Sequence, residues 1–184
     1  MKLLLTGVPG TGKSVLAHAL AKKMKCGLID INAVVKEKKL WSGKDGHGSL
    51  IVKLKELQTE LAKRVRNAKT CCIVEGHLGC EMKLPVDVAV VLRTPPGLLE
   101  RRLKARKYPQ KKLMENLLAE ALDYCTLKAE ENYKDVREIV TRGSVAKSLR
   151  ELELITKGSP AFKAGKVRWH KEMEKLAVRA ARLS

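Results

Sequence analysis

Aromatic side chains are scarce in this chain: one Phe, two Trp and three Tyr among 184 residues. Its core must therefore be aliphatic, and 45% hydrophobic residues are enough for one globular domain. No apolar run is long enough to span a bilayer as a helix, so no membrane partner is expected. Cysteine is present but poorly patterned. The five, at positions 26, 71, 72, 80 and 125, are odd in number and contain no C-x-x-C pair. That argues against both a disulfide framework and a zinc site, and Cys71 and Cys72 read as reduced thiols in an apolar strand. A strand-like segment begins at once, which leaves no room for a leader. These signs together lead us to expect a cytoplasmic, reducing setting. Acidic side chains are also few, 20 against 38 Lys and Arg, giving a net charge of +18 and a pI near 9.9. Solubility alone does not need that excess. A polyanionic partner, RNA first, accounts for it, and a thermophile-style charged surface is the blander reading. There is no internal repeat and no low-complexity stretch.

The most informative segment is Gly7-Val8-Pro9-Gly10-Thr11-Gly12-Lys13-Ser14. It fits G-x-x-x-x-G-K-[ST], a loop whose amides cradle phosphate oxygens. An apolar strand, Leu3 to Thr6, precedes it. Val15, Leu16, Ala19, Leu20 and Met24 follow at helical spacing. Strand, glycine loop and helix in this order single out nucleotide binding over a chance turn. Gly10, Thr11, Gly12, Lys13, Ser14 and Val15 are the candidate ATP-binding residues, with Lys13 reaching the β- and γ-phosphates and Ser14 ligating Mg²⁺.

Strand and helix patterns then alternate. Strands are read at 26–30, 70–75, 86–92 and, more weakly, 137–141. Helices are read at 12–25, from a cap at Asn32 through Leu40, at 50–65, from Pro95 through Leu103, at 113–133, at 144–156 and at 166–183. Trp41 to Ser49 reads as a mobile glycine-rich loop, and Gly76 to Gly79 as a loop. This alternation predicts an α/β fold with a five-stranded parallel sheet flanked by helices, its nucleotide site at the carboxyl ends of the strands. The whole chain, 1–184, reads as a single domain.

Several groups near those strand ends invite chemistry. Glu75 closes a nearly all-apolar strand and is placed to hold Mg²⁺ through water, with Ser14; an ordinary solvent-facing Glu is the alternative. His77, two residues on, would orient a nucleophile, although a lone loop histidine is more often plain polar surface. The run Arg101, Arg102, Lys104, Arg106, Lys107, Lys111, Lys112 reads equally as a lid over the phosphates, an RNA-facing patch or a solvated helix face. Lys36 is as readily a solvated lysine as an acceptor contact. Arg93 and Thr94 end a strand on the ligand side. His18 reads as structural, and His47 and His170 have no constellation. Trp169 and Phe162 read as anchors of the last helix.

Ile73-Val74-Glu75-Gly76-His77, Val91-Leu92-Arg93-Thr94, Leu99 to Tyr108, Lys111-Lys112-Leu113 and Glu115-Asn116 together resemble the adenylate kinase isoenzyme 6 family. The likeness covers about residues 2 to 142, and weakly the stretch near Trp169. It implies a three-layer nucleoside-monophosphate-kinase-like fold with an acceptor-binding region at about 30–53 and a lid at about 105–115; the lid here is short, and the basic C-terminal extension at about 158–184 fits the family only loosely. It also implies Arg106 as the lid arginine on the phosphates, and Glu75 and His77 as the acid and histidine linked with Mg²⁺ and hydrolysis. Lys13, Glu75, His77 and Arg106 would then carry catalysis. The implied activity is transfer of the ATP γ-phosphoryl to AMP or to water. The implied setting is maturation of small-subunit rRNA with a small-subunit ribosomal protein as partner. Two positions depart from the family pattern. Glu75 stands where aspartate is common, and Lys36 where an arginine would grip the acceptor phosphate with a fork that lysine lacks. Two other functions fit the same residues: an RNA- and protein-binding assembly factor with slow ATP turnover, and a P-loop kinase for a small metabolite.

Overall fold

Alternating strands and helices fold around one parallel sheet in the computed structural model, which describes residues 1–46 and 48–181. His47 and the last two positions of the helix read at 166–183 lie outside the described residues. Strand β1 (Lys2–Thr6) leads through the glycine loop into α1 (Lys13–Met24). Then come β2 (Gly27–Asp30) and α2 (Ile31–Glu37), a two-stranded antiparallel hairpin β3 (Trp41–Lys44) and β4 (Leu50–Val52), α3 (Leu54–Asn67) and β5 (Cys72–Glu75). A 3-10 helix (His77–Glu81) connects β5 to β6 (Val88–Arg93). The chain finishes with α4 (Pro96–Ala105), α5 (Gln110–Ala121), α6 (Tyr124–Asn132), β7 (Val136–Val140), α7 (Val145–Thr156) and α8 (His170–Ala181). The sheet order is β2-β5-β1-β6-β7, all parallel. The predicted five-stranded α/β fold is the one observed.

β1, β5 and β6 are buried along their whole lengths apart from the first residue of β1, as continuous apolar runs require when helices cover both faces. Side chains therefore divide by strand parity. Leu4, Val74, Ala89 and Val91 pack with α3, α4 and α5. Leu3, Leu5, Ile73, Val90 and Leu92 pack with α1 and α7. Removing one such leucine would cost about 2–5 kcal/mol.

Five sequence expectations need correction. The segment after Leu40 is a hairpin, not a loop, because Trp41 pairs with Val52 and Gly43 with Ile51. Asp30, not Asn32, caps α2: its Oδ1 accepts from the amides of Asn32 at 2.8 Å and Ala33 at 3.2 Å. The glycine stretch after Glu75 winds into the 3-10 helix. The expected helix from Leu113 to Tyr133 is two helices, broken at Asp123, whose φ of 57° ends the first and redirects the chain. Finally, Cys26 and Cys71 form a disulfide, Cα–Cα 4.9 Å. The pairing Gly27↔Cys72 sets these two cysteines side by side at the start of neighbouring strands, 45 residues apart in sequence. Count and spacing alone could not show that.

Candidate functional site

The turn from β1 into α1 works only with glycine at its corners. Gly7 has φ 132°, and a Cβ there would stand 2.5 Å from the Leu92 carbonyl oxygen. Gly10 has φ 91°, and its Cβ would meet Leu99 at 2.8 Å. The loop is thereby pressed onto β6 and α4. Its amides and the start of α1 face the carboxyl end of the sheet. Thr11 is buried, its Oγ1 donating to the Val8 carbonyl at 2.9 Å.

Four side chains converge on this loop. Lys13 is 9% exposed and its Nζ donates to the carbonyls of Gly7 at 2.8 Å and Val8 at 3.0 Å. Burial lowers its pKa, and among the described residues no carboxylate is bonded to it. Ser14 donates from Oγ to Oε1 of Glu75 at 2.9 Å. Glu75 is 3% exposed, and burial pushes its pKa up while the Ser14 hydroxyl pulls it down. His77 Nδ1 lies 3.2 Å from the Gly7 carbonyl oxygen. Burial and then Lys13 lower its pKa, so the imidazole is neutral at pH 7 and Nδ1 carries the proton that it donates to Gly7. A fifth group was missed in the sequence. Asp30 is paired with Glu75 in the strand register, so two carboxyl groups end adjacent strands. Each sat alone in the sequence, 45 positions apart.

Beside the loop lies a cleft of about 390 Å³, lined by Gly10, Thr11, Gly12, Val15 and Leu16 on one side and Arg102, Arg106, Thr141 and Gly143 to Val145 on the other. Val15 is exposed into this region. Arg102, not Arg106, bonds the loop here: its Nη1 donates to the Gly10 carbonyl at 3.2 Å. Arg106 is exposed at the end of α4. Thr141 is the link that sequence reasoning did not supply. Its Oγ1 lies 2.6 Å from that of Thr94 and donates to the Thr11 carbonyl at 3.0 Å, tying the end of β7 to the phosphate loop. A clue was available: residues that follow the strands of one parallel sheet all lie at the same end as the P-loop.

Other sequence candidates are placed differently. Arg93 does not face the cleft. It is 1% exposed and bonded to Glu120 Oε1 at 2.9 Å, Glu138 Oε1 at 2.6 Å and Asp123. Lys36 is exposed on α2, apart from the loop. The segment at 105–115, expected to be a short lid, is the α4–α5 corner. Only a few residues separate α4 from α5, and Lys112 of α5 donates to Ser49 Oγ beside the hairpin. Trp169 is indeed an anchor, buried with Nε1 donating to Glu120 at 3.0 Å. Phe162 packs against the α1–α7 side of the core.

A glycine-cornered loop at the end of the central strand, a helix start behind it and a hydroxyl–carboxylate pair across from a buried lysine define a P-loop phosphate-binding protein. The comparison with known families agrees: residues 3–123 match AAA_18, an AAA domain, and the chain belongs to that family. Among its relatives, a protein of Methanosarcina barkeri named "Putative adenylate kinase" is 33% identical over 92% of this chain and 97% of its own. One of the same name from Archaeoglobus fulgidus is 35% identical over 95% and 94%. Among solved structures, shikimate kinase from Acinetobacter baumannii in complex with shikimate has a TM-score of 0.61 at 14% identity, covering 87% of this chain and 94% of that one. The Aquifex aeolicus shikimate kinase has a TM-score of 0.58 at 15% identity, covering 86% and 97%. At such identities the likeness speaks for the fold alone. No helix among the described residues is long and apolar enough to cross a membrane.

Proposed function

We propose that this chain is an ATP-dependent phosphoryl transferase of the adenylate kinase type, which passes the γ-phosphoryl to AMP and, without an acceptor, to water. The observation that carries the reading is the meeting of Lys13, Ser14, Glu75 and His77 around the Gly7–Val8 turn. The names carried by the archaeal relatives support it.

The donor set suits Mg²⁺: the Ser14 hydroxyl and the Glu75 carboxylate are hard oxygens 2.9 Å apart, with Asp30 paired to Glu75 in the neighbouring strand. Ser14 and Glu75 would hold the ion, Glu75 through water, and the ion would supply charge neutralisation between the β- and γ-phosphates. Lys13 leaves the carbonyls of Gly7 and Val8 for phosphate oxygens, exchanging two neutral acceptors for anionic ones. Amides from Gly10 to Val15 grip the phosphate chain. Arg106, on the open side of the cleft with Arg102, closes on the charge that spreads in the transition state. Neutral His77 orients the attacking water or acceptor. AMP is assigned to the region from Asp30 to Lys53. A cytoplasmic role in small-subunit rRNA maturation, with a small-subunit ribosomal protein as partner, is the finer reading. Its support is the motif resemblance together with the net charge of +18.

The test is ATP consumption with and without AMP, in wild type and in Lys13→Ala, Glu75→Ala and His77→Ala. Lys13→Ala and Glu75→Ala are expected to lose both activities, and His77→Ala to lose mainly hydrolysis. AMP without effect on ATP consumption would remove AMP as acceptor. Wild-type protein with no saturable ATP affinity in magnesium would remove the whole reading. RNA affinity that does not fall steeply with salt would count against the ribosomal part.

A further inference from the structure

Behind the phosphate loop, two thiols and the His77 imidazole come together in a way that phosphoryl transfer does not require. His77 and Cys80 are three residues apart in the 3-10 helix, where side chains at that spacing eclipse and so share a face. Cys125, on α6, approaches from the other side, its Sγ 3.6 Å from His77 Nδ1. The three donor atoms all lie within 4.8 Å of one another. Tetrahedral zinc, with Zn–S about 2.3 Å and Zn–N about 2.0–2.1 Å, sets its ligand atoms roughly 3.5–3.8 Å apart. Cys80 and Cys125 are buried and His77 is half-buried, so the group is shielded with one open edge.

The support around the triad is rigid. Asn132 at the end of α6 donates to the Cys80 carbonyl at 2.9 Å, and Tyr133 donates to the Gly79 carbonyl at 2.7 Å. These bonds clamp α6 to the 3-10 helix, so ligands from both elements keep their spacing. Charge also balances. Two thiols that give up their protons to solvent contribute two negative charges, which a divalent ion cancels. The nearby Lys13 ammonium therefore gains no net positive neighbour.

We propose that His77, Cys80 and Cys125 form a binding site for a thiophilic d¹⁰ cation, zinc in particular, joining the phosphate-loop side of the sheet to α6. Its nitrogen ligand, Nδ1, is the atom that donates to the Gly7 carbonyl in the metal-free arrangement. Loading moves the ring proton to Nε2 and breaks that hydrogen bond, withdrawing the imidazole from the nucleotide side. Zinc would thus slow ATP turnover, a consequence that rests on the role given to His77 above; the site itself does not.

The experiment titrates cobalt(II), as a spectroscopic stand-in for zinc, into the chelator-stripped full chain. One ion per chain with a thiolate-to-cobalt charge-transfer band, bleached by zinc, is expected. Cys80→Ser and Cys125→Ser should each weaken binding at least about tenfold and diminish the band, and Cys80→Ser/Cys125→Ser should abolish it, while the double variant Cys26→Ser/Cys71→Ser keeps it in full. In the wild type, zinc should slow alkylation of Cys80 and Cys125 but not of Cys72, a readout that does not depend on a variant folding. No charge-transfer band in the wild type, a band undiminished in Cys125→Ser or surviving in Cys80→Ser/Cys125→Ser, or alkylation unaffected by zinc would each overturn the site. A cobalt spectrum with undiminished ATP turnover would keep the site and remove only His77 from the hydrolysis scheme.

Discussion

Two buried cations, Arg93 and Lys13, have surroundings that differ in kind. Arg93 is enclosed by Glu120, Asp123 and Glu138, with Thr126 adding a fourth side-chain partner. Burial opposes its charge, but the carboxylates hold its pKa above the ordinary arginine range. The carboxylates are themselves shared out. Glu120 accepts from the Trp169 indole and the Thr94 amide, and Glu138 from the amides of Lys166 and Val167. Among the described residues Lys13 bonds two backbone carbonyls and no carboxylate, and burial lowers its pKa. Arg93 is therefore saturated and fastens β6, β7, the α5–α6 corner and the C-terminal segment. Lys13 is undersupplied with negative charge, which suits a group that must accept a polyanion. A burial pattern alone would class the two together; the partners separate them.

The comparison is sharpest where one cation is removed. Arg93→Met should cost about 3–5 kcal/mol in urea unfolding, because three carboxylates lose their shared partner. ATP affinity of the protein that stays folded should change much less. If the two losses were equal, Arg93 would belong to the binding machinery. Lys13→Met should act the other way. ATP turnover should fall about 10²–10³-fold, yet the variant should unfold at equal or higher urea. The sign follows from linkage. A lysine with a lowered folded-state pKa binds fewer protons folded than unfolded, between that value and 10.5. Wild-type stability should therefore rise with pH through that window relative to Lys13→Met, and parallel pH curves for the two proteins would refute the account.

Smaller effects test whether the rest of the frame is independent of both cations. Reduction of Cys26–Cys71 should lower stability by about 2–4 kcal/mol without changing ATP affinity, as seen in denaturant melts with and without dithiothreitol. Glu100 supplies the mildest case. Its bonds to Arg179, and then to Lys104, bring its pKa from 4.5 down to about 2. The contribution is present above pH 4.5 and is lost as pH falls toward 2. Glu100→Gln should remove that acid-side slope, an effect under about 1 kcal/mol because Arg179 is partly exposed. Melts at pH 3 and pH 6 suffice to check it.

What the sequence made legible follows a physical rule. The phosphate loop was readable because its determinants are local: glycines at positive φ, a lysine and a hydroxyl at fixed offsets. The parallel sheet was readable because β1, β5 and β6 are uninterrupted apolar runs. Contacts made by register stayed hidden. The Asp30–Glu75 pairing, the Cys26–Cys71 bond and the Thr141 link all join residues at least 45 positions apart. Arg93 was misread for the same reason, since its three partners come from different elements. Arg106 was singled out by motif, whereas Arg102 touches the loop because α4 presents it one turn earlier. The hairpin at Trp41–Val52 was lost to its glycines, which suggested a loop although they permit a bulged pair.

The disulfide at the foot of β2 has a mechanical corollary. β2 is an edge strand of four residues, covalently pinned to β5 at its amino end and capping α2 at the other. It can neither slide nor peel. Any swing of the arm formed by α2 and the hairpin must therefore pivot after Asp30, so that the carboxyl group beside Glu75 acts as a stationary axle while the arm turns about it.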